Sequence, residues 1–277
     1  MSGKRISVKQ TLGGIAYNPD FEKILCRNSL LDFNKALHLD EGEVIKHAIP
    51  ERKTVKINLK DIRGFFGAYL KCQYPVSFWK FFGRLLKLSI PRTAYDEFEN
   101  IIAFHQAGIP TVIPLAAGVR KCGIVQSTSF LITQALEGCT RLDHFFSSPH
   151  PASIEIKRAL ITKAALLVKK MHACGFNHRD LYLCHILLHT TGELYIVDLH
   201  RAGKRARVPV RWKIKDIAAL NYSAPRHSIS LPDRLRFLKT YLGTDHLSGR
   251  ERHFALKVLK KTKKMIKHNR NCAVGTA

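Results

Sequence analysis

Two aspartates, Asp180 and Asp198, stand eighteen positions apart within the stretch 171–201, MHACGFNHRDLYLCHILLHTTGELYIVDLHR. Between them the chain reads as loop, strand, tight turn and strand. Ile186, Leu187 and Leu188 form one apolar run, Thr190, Thr191 and Gly192 supply the turn, and Leu194 to Val197 form a second run that ends at Asp198. A hairpin of that length returns to its starting rim, so one carboxylate enters it and the other leaves it, side by side. That pairing suits phosphoryl transfer: one carboxylate accepts the proton of an acceptor hydroxyl, and the other holds the Mg2+ that neutralises the phosphates of ATP.

The wording around the two aspartates narrows the chemistry. His178-Arg179-Asp180 resembles the HRD of the protein-kinase catalytic loop, and Asp198-Leu199-His200 stands where that fold carries DFG. A protein kinase has a metal-binding Asn five residues after its Asp; His185 occupies that place here. A neutral imidazole is a softer, less usual Mg2+ ligand than an amide oxygen. The longer words HRDLYLCHILLH and IVDLHRA are similar to the signature of the lipopolysaccharide core heptose (I) kinases, the WaaP or RfaP type, in which that His and the DLHR are expected. The resemblance implies an α+β, two-lobed protein-kinase-like fold with an antiparallel-sheet N-lobe and a mainly helical C-lobe. The expected division is an N-terminal extension and N-lobe over 1–135 and a C-lobe over 136–277, with the hinge in Gln134-Ala135-Leu136-Glu137-Gly138.

The elements that must position these groups follow from periodicity. Residues up to about Asn34 give weak signals and read as an extension packed on the first lobe. Strands are expected over 43–47 and 53–59, the second alternating Val55, Ile57 and Leu59 with Thr54, Lys56 and Asn58, and again over 65–72, 112–119 and 124–133. No glycine-rich phosphate-covering loop is legible, since Gly42 and Gly64 stand alone. On the resemblance, Lys71 near the end of the third strand takes the place of the lysine that grips the α and β phosphates; Lys80 and Lys87 are nearby alternatives. The basic and aromatic segment 79–88 suits packing on the small lobe or contact with a lipid surface, packing being the use its composition favours. A helix over 93–105 opens with a capping box of Thr93 and Asp96. Its periodicity leaves both Glu97 and Glu99 open as partners of the lysine, and the resemblance selects Glu97.

In the second lobe the clearest helix runs over 153–174, with an apolar stripe of Leu160, Ile161, Ala164, Leu167, Val168 and Met171. Beyond Asp198 come seven cations in fifteen residues, from Arg201 to Lys215, which the resemblance places where the acceptor is read. A helix opening near Trp212 carries Asp216, which resembles the buried aspartate that pins the catalytic loop from below. The pattern RW-x-x-KD-x-A-x-L-x-x-S, through Ser223, is again similar to the heptose-kinase family. The last segment, 250–271, is a basic amphipathic helix suited to docking on the lobe, to an anionic leaflet, or to both.

The 277 residues carry 46 Lys and Arg against 21 Asp and Glu, a net charge of +25, and 45% of them are hydrophobic. Such a chain has a core to bury and a surface that seeks polyanions. Seven scattered cysteines without a C-x-x-C pair read as reduced thiols, and a zinc site among His172, Cys174, His178, Cys184 and His185 lacks paired short-spaced ligands. The start has no apolar leader, and the expected location is the cytoplasm, peripheral on the cytoplasmic face of the inner membrane. The resemblance implies ATP and Mg2+ as cofactors, and the acidic lipopolysaccharide inner-core glycan as acceptor. Asp180 is then the catalytic base, Asp198 the metal ligand, and Lys71, Glu97 and His185 the nucleotide and phosphate environment. It also brings acyl carrier protein as a partner, and no nucleic acid is expected. A protein kinase is disfavoured by the missing glycine-rich loop, metal-binding Asn and APE-like block. A kinase of another inner-core sugar, Kdo, is the nearer alternative.

Overall fold

The structure is a computed structural model and describes residues 6–39, 42–49, 51–62, 64–75, 92–122, 126–149 and 153–274. The stretch 79–88, with Lys80 and Lys87, lies outside the described residues. The fold is α+β, and the chain divides into two compact units, Met1–Glu137 and Gly138–Ala277.

The first unit is built on one antiparallel sheet. Its elements are β1 (Lys9–Gln10), β2 (Ile15–Tyr17), α1 (Glu22–Arg27), α2 (Phe33–Leu37), β3 (Glu43–Ile49), β4 (Arg52–Asp61), β5 (Gly64–Gln73), α3 (Ala94–Gln106), β6 (Pro114–Lys121) and β7 (Ser127–Gln134). The strand order is β1-β2-β6-β7-β5-β4-β3. The β4 alternation holds: Val55, Ile57 and Leu59 are buried while Lys56 and Asn58 are exposed. The buried side meets α1 and α2, where Leu25, Leu30 and Phe33 pack with Ile57, Leu70 and Phe130. The residues before Asn34 do more than pack as an extension. β2 pairs with β6, Ala16 opposite Ala117, and so adds two strands to one edge. A three-residue and a two-residue strand are too short to show a period of two, which is why the sequence hides them.

Helix α3 starts as the capping box requires, with the Thr93 hydroxyl accepting from Asp96 N at 3.2 Å and the Asp96 carboxylate accepting from Thr93 N at 2.5 Å. Its buried face is Ala94, Glu97, Phe98, Ile101 and Phe104, whereas Glu99 is exposed.

The second unit contains β8 (Cys139–Arg141), α4 (Leu142–Phe146), α5 (Ile154–Ala173), β9 (Phe176–Asn177), β10 (Ile186–His189), β11 (Leu194–Ile196), β12 (Gly203–Lys204), α6 (Val210–Ser223), α7 (Leu231–Leu242) and α8 (Gly249–Val274). The β10–β11 hairpin pairs Ile186 with Ile196, and β8 adds a third strand on the β10 side. Ser153 caps α5 by accepting from Ile156 N, and the α5 stripe is buried at Leu160, Ile161, Ala164, Val168 and Met171. Gly175 ends that helix at φ 85°, where a Cβ would overlap the Arg205 carbonyl oxygen; the same strands meet through Arg205 N donating to the Gly175 carbonyl at 2.9 Å. Helix α7 arises from a signal that the periodic reading passes over: Ser230 and Asp233 form a capping box, and Gly243 closes the helix at φ 75°. An apolar cavity of about 250 Å3 lies among α5, α6, α7 and α8.

Candidate active site

In the first unit, β5 and α3 bring two of the expected residues together. Lys71 Nζ stands 2.6 Å from Glu97 Oε1, with the Glu97 side chain 4% exposed and that of Lys71 28% exposed. Lys71 is held in register by Leu131 on β7 and Thr54 on β4, and Glu97 lies on the buried face of α3, so the pair joins sheet to helix. A carboxylate this enclosed keeps a lysine in one orientation.

In the second unit the hairpin does what its length implies. Val197 N donates to the His185 carbonyl at 3.0 Å, and His178 ties the two ends. Its Nε2–H donates to the Val197 carbonyl at 2.9 Å, one residue before Asp198, while its Nδ1 accepts from Asp180 N at 3.3 Å. Burial pushes the His178 pKa below its ordinary value, and the neutral ring that results is the tautomer this pair of bonds needs.

Beneath the loop, α6 supplies two anchors one face apart. Asp216 Oδ2 accepts from His178 N at 2.8 Å and Oδ1 accepts from Arg179 N at 2.7 Å. The Ser223 hydroxyl oxygen accepts from Leu183 N at 2.9 Å and donates to the Ala219 carbonyl. Positions 216 and 223 are seven residues apart, close to two helical turns, which explains why KD-x-A-x-L-x-x-S has that spacing. Asp216 also accepts from His172 Nε2 at 3.2 Å, and His172 Nδ1 meets the Tyr241 hydroxyl at 2.8 Å. Burial, reinforced by the Asp216 carboxylate, raises the Tyr241 pKa far above its ordinary value, so the phenol keeps its proton.

The two aspartates of the hairpin are differently placed. Asp198 sits in the left-handed region, φ 63° and ψ 58°, with its side chain 30% exposed. His200 Nδ1 lies 2.8 Å from its Oδ1 and His185 Nε2 lies 3.4 Å from its Oδ2. His185 Nδ1–H donates to the Asp180 carbonyl at 2.7 Å, so a neutral ring would turn the Nε2 lone pair toward the Asp198 carboxylate. Burial opposes charge on His185, but the Cys184 thiol, the Asp198 carboxylate and the Asp180 carbonyl outweigh it and raise its pKa. Asp180 is held by Arg201, whose Nη1 donates to both carboxylate oxygens at 3.0 and 2.9 Å, and Lys215 Nζ is 3.8 Å from Oδ1.

Sequence reading did not single out His200, Arg201 and Lys215 as partners of the aspartates. The signal for His200 was the DLHR word itself. The basic run after Asp198 was expected to face an acceptor as a block, yet Arg201 and Lys215 turn back onto Asp180, and Arg205 donates to Asn177 Oδ1. Among the described residues no three His, Cys, Asp or Glu side chains converge as a metal cluster. A hard oxygen donor on an exposed loop is still what Mg2+ uses when nucleotide phosphates complete its shell, and Asp198 fits that role better than the imidazole of His185.

A sheet-borne lysine paired with a helix glutamate, and an HRD loop pinned from below by a buried aspartate, define a kinase-like phosphotransferase. The comparisons with known proteins agree. Residues 65–241 match the lipopolysaccharide kinase (Kdo/WaaP) family. The chain is 34% identical over 217 residues to the lipopolysaccharide core heptose(I) kinase WaaP of Pseudomonas aeruginosa, covering 75% of this chain and 79% of that one. A solved structure of WaaP in complex with acyl carrier protein superposes with a TM-score of 0.71 at 30% identity, covering 90% of this chain and 98% of that chain. The 3-deoxy-D-manno-octulosonic acid kinase of Vibrio parahaemolyticus is more distant, 23% identical over 193 residues, 70% of this chain and 68% of that one. The chain therefore belongs to the lipopolysaccharide kinase (Kdo/WaaP) family, and as a member of a kinase family it is an ATP-dependent phosphotransferase.

Proposed function

We propose that this chain phosphorylates the first heptose of the lipopolysaccharide inner core with ATP as donor. The observation that carries the reading is the 34% identity to a heptose(I) kinase across three-quarters of the chain, against 23% to a kinase of the neighbouring acid sugar.

In this reading the Asp180 carboxylate takes the proton of the heptose hydroxyl as its oxygen bonds to the γ-phosphorus. The bond from that phosphorus to the β–γ bridging oxygen breaks, and ADP leaves. Arg201, with both Asp180 oxygens on one guanidinium nitrogen, fixes the carboxylate before the acceptor arrives. Lys71, oriented by Glu97, holds the α and β phosphates. Asp198 would hold Mg2+, which supplies charge neutralisation at the phosphates when bound. His185 links the two aspartates, hydrogen-bonded to the backbone of one and facing the carboxylate of the other. His178 and Asp216 keep both loop segments in place without touching reactants.

The acceptor carries carboxylates and phosphates and is rooted in the inner leaflet, which suits the net charge of +25. No helix among the described residues is long and apolar enough to cross a membrane, and the reading places the enzyme on the cytoplasmic face of the inner membrane as a peripheral protein. An acyl carrier protein as partner is carried over from the solved relative.

The test uses purified protein with and without Asp180→Ala, labelled ATP and Mg2+. Three acceptors are compared: inner core lacking heptose phosphate, inner core truncated to its acid sugars, and a generic protein. Label on the heptose-bearing glycan that vanishes with Asp180→Ala is the expected result. Label on the truncated glycan would move the acceptor to the acid sugar, and label on protein alone would overturn the reading.

A further inference from the structure

We propose that a basic groove between α6 and α8, linked to Asp180 through Lys215, binds the carboxylates or phosphates that flank the reacting sugar in the acceptor. The inference rests on the phosphotransfer reading above and extends it to how the acceptor is selected. One wall is Arg211 and Lys215 from α6; the other is Lys257, Lys260, Lys261 and Lys264 from α8. Lys215 connects the groove to the chemistry, since its Nζ is 3.8 Å from Asp180 Oδ1. The Trp212 ring belongs to the α6 wall, with Arg179, Arg211 and Lys215 at 4.6, 5.5 and 5.7 Å from its centroid, and so holds the near cations in place.

The four α8 lysines recur at i, i+3, i+4 and i+7, one above another on a single stripe, all exposed. Like charges at these spacings repel. Among the described residues neither they nor Arg211 form an ion pair with a carboxylate. The stripe is nevertheless fixed in direction. Val258 and Thr262 are buried beside it, and the Thr262 hydroxyl oxygen accepts from Asn221 Nδ2 of α6 at 3.0 Å. A row of cations that the fold aims into a concave surface is completed by anions from outside. The row from 257 to 264 spans roughly 10 Å of helix, so its charges lie beyond the reacting hydroxyl. It can therefore read the acidic groups of neighbouring sugars. Lys215, on the α6 wall, reaches within 3.8 Å of Asp180, a path that suits a glycan running on from the reacting sugar rather than a bilayer.

The experiment replaces Lys257, Lys260, Lys261 and Lys264 together by Gln, which keeps helix propensity. A control removes the same charge from the first unit, at the exposed Lys23, Lys35, Lys60 and Lys121. Two readouts are taken: steady-state kinetics with intact acceptor, and equilibrium titration without ATP. The titration uses deacylated inner-core oligosaccharide and, separately, vesicles containing phosphatidylglycerol. The α8 variant is expected to raise the acceptor KM and the oligosaccharide Kd tenfold or more, with KM for ATP unmoved and the control variant like wild type. Unchanged KM and Kd would overturn the groove, as would loss of vesicle binding with oligosaccharide binding retained. Should wild type phosphorylate no lipopolysaccharide acceptor, the proposed function falls, and the titration alone still decides the groove in the same way.

Discussion

Asp216 and Asp198 both carry a histidine, and the contrast between them separates a carboxylate that the fold encloses from one that stays partly exposed. Asp216 is fully buried, and its oxygens are occupied by two backbone N–H groups and the His172 ring, so nothing is left for a reactant. Asp198 is 30% exposed, stands in a left-handed backbone conformation, and has the His185 ring at one carboxylate oxygen and the His200 ring at the other. Backbone donors cannot move aside, whereas imidazoles can. Burial with main-chain partners suits a scaffold; partial exposure beside movable rings suits the ligand-holding role proposed for Asp198.

The sharpest way to break this distinction is Asp198→Asn, since Asn tolerates the left-handed region and removes only the charge. Turnover should fall by roughly a thousandfold or more, the several kcal/mol of transition-state charge stabilisation at stake. The melting temperature should stay within a few degrees of wild type. Asp216→Ala should do the reverse. It strands the N–H groups of His178 and Arg179, at about 1–3 kcal/mol each, and urea denaturation would register the loss directly. If the two variants lost stability equally, the contrast would be wrong. His178 gives a finer test. Its pKa is lowered in the folded state, so its contribution to stability is complete above the ordinary histidine value near pH 6.5 and is lost as pH falls below it. The slope is at most about 1.4 kcal/mol per pH unit for one proton, and His178→Asn should remove that part of the acid destabilisation between pH 7 and 5. The smallest effect is expected from Ser223→Ala, which leaves Leu183 N without its acceptor for about 1 kcal/mol. That change should be visible in denaturation and in turnover together, because the second anchor of the loop goes with it.

Much of the site was legible in the sequence where chemistry forces a word. HRD and DLHR point to Asp180 and Asp198, and the resemblance points to Asp216 as an anchor; that Ser223 is a second anchor emerges only in the fold. The Lys71–Glu97 pairing needed the resemblance, because amphipathic period alone did not separate Glu97 from Glu99; in the fold, Glu97 is buried and Glu99 exposed. Other parts left no periodic trace. β1 and β2 total five residues, and the pairing of β2 with β6 is set by contacts about a hundred positions away. Helix α7 has buried positions only at Asp233 and Tyr241, so its stripe is thin, and only its caps give it away. The partners of the cations between 201 and 215 are likewise fixed in space rather than in spacing: Arg201 and Lys215 reach the same aspartate from opposite ends of the run.

The edges of the seven-stranded sheet carry a consequence for life in a crowded solution. One edge is β1, two exposed residues long with Lys9 in it; the other is β3, whose register against β4 shifts at Val44/Lys46 and again at Lys46/Ile49. Neither presents the long, flat row of amides on which a second copy could template a strand. The short N-terminal strands thus act as a cover for β6, a strand with a fully buried apolar start at Leu115 and Ala116 that would otherwise form the sheet's border. Colloidal good behaviour is in this way written into the two short strands Lys9–Gln10 and Ile15–Tyr17, outside the residues assigned to phosphate.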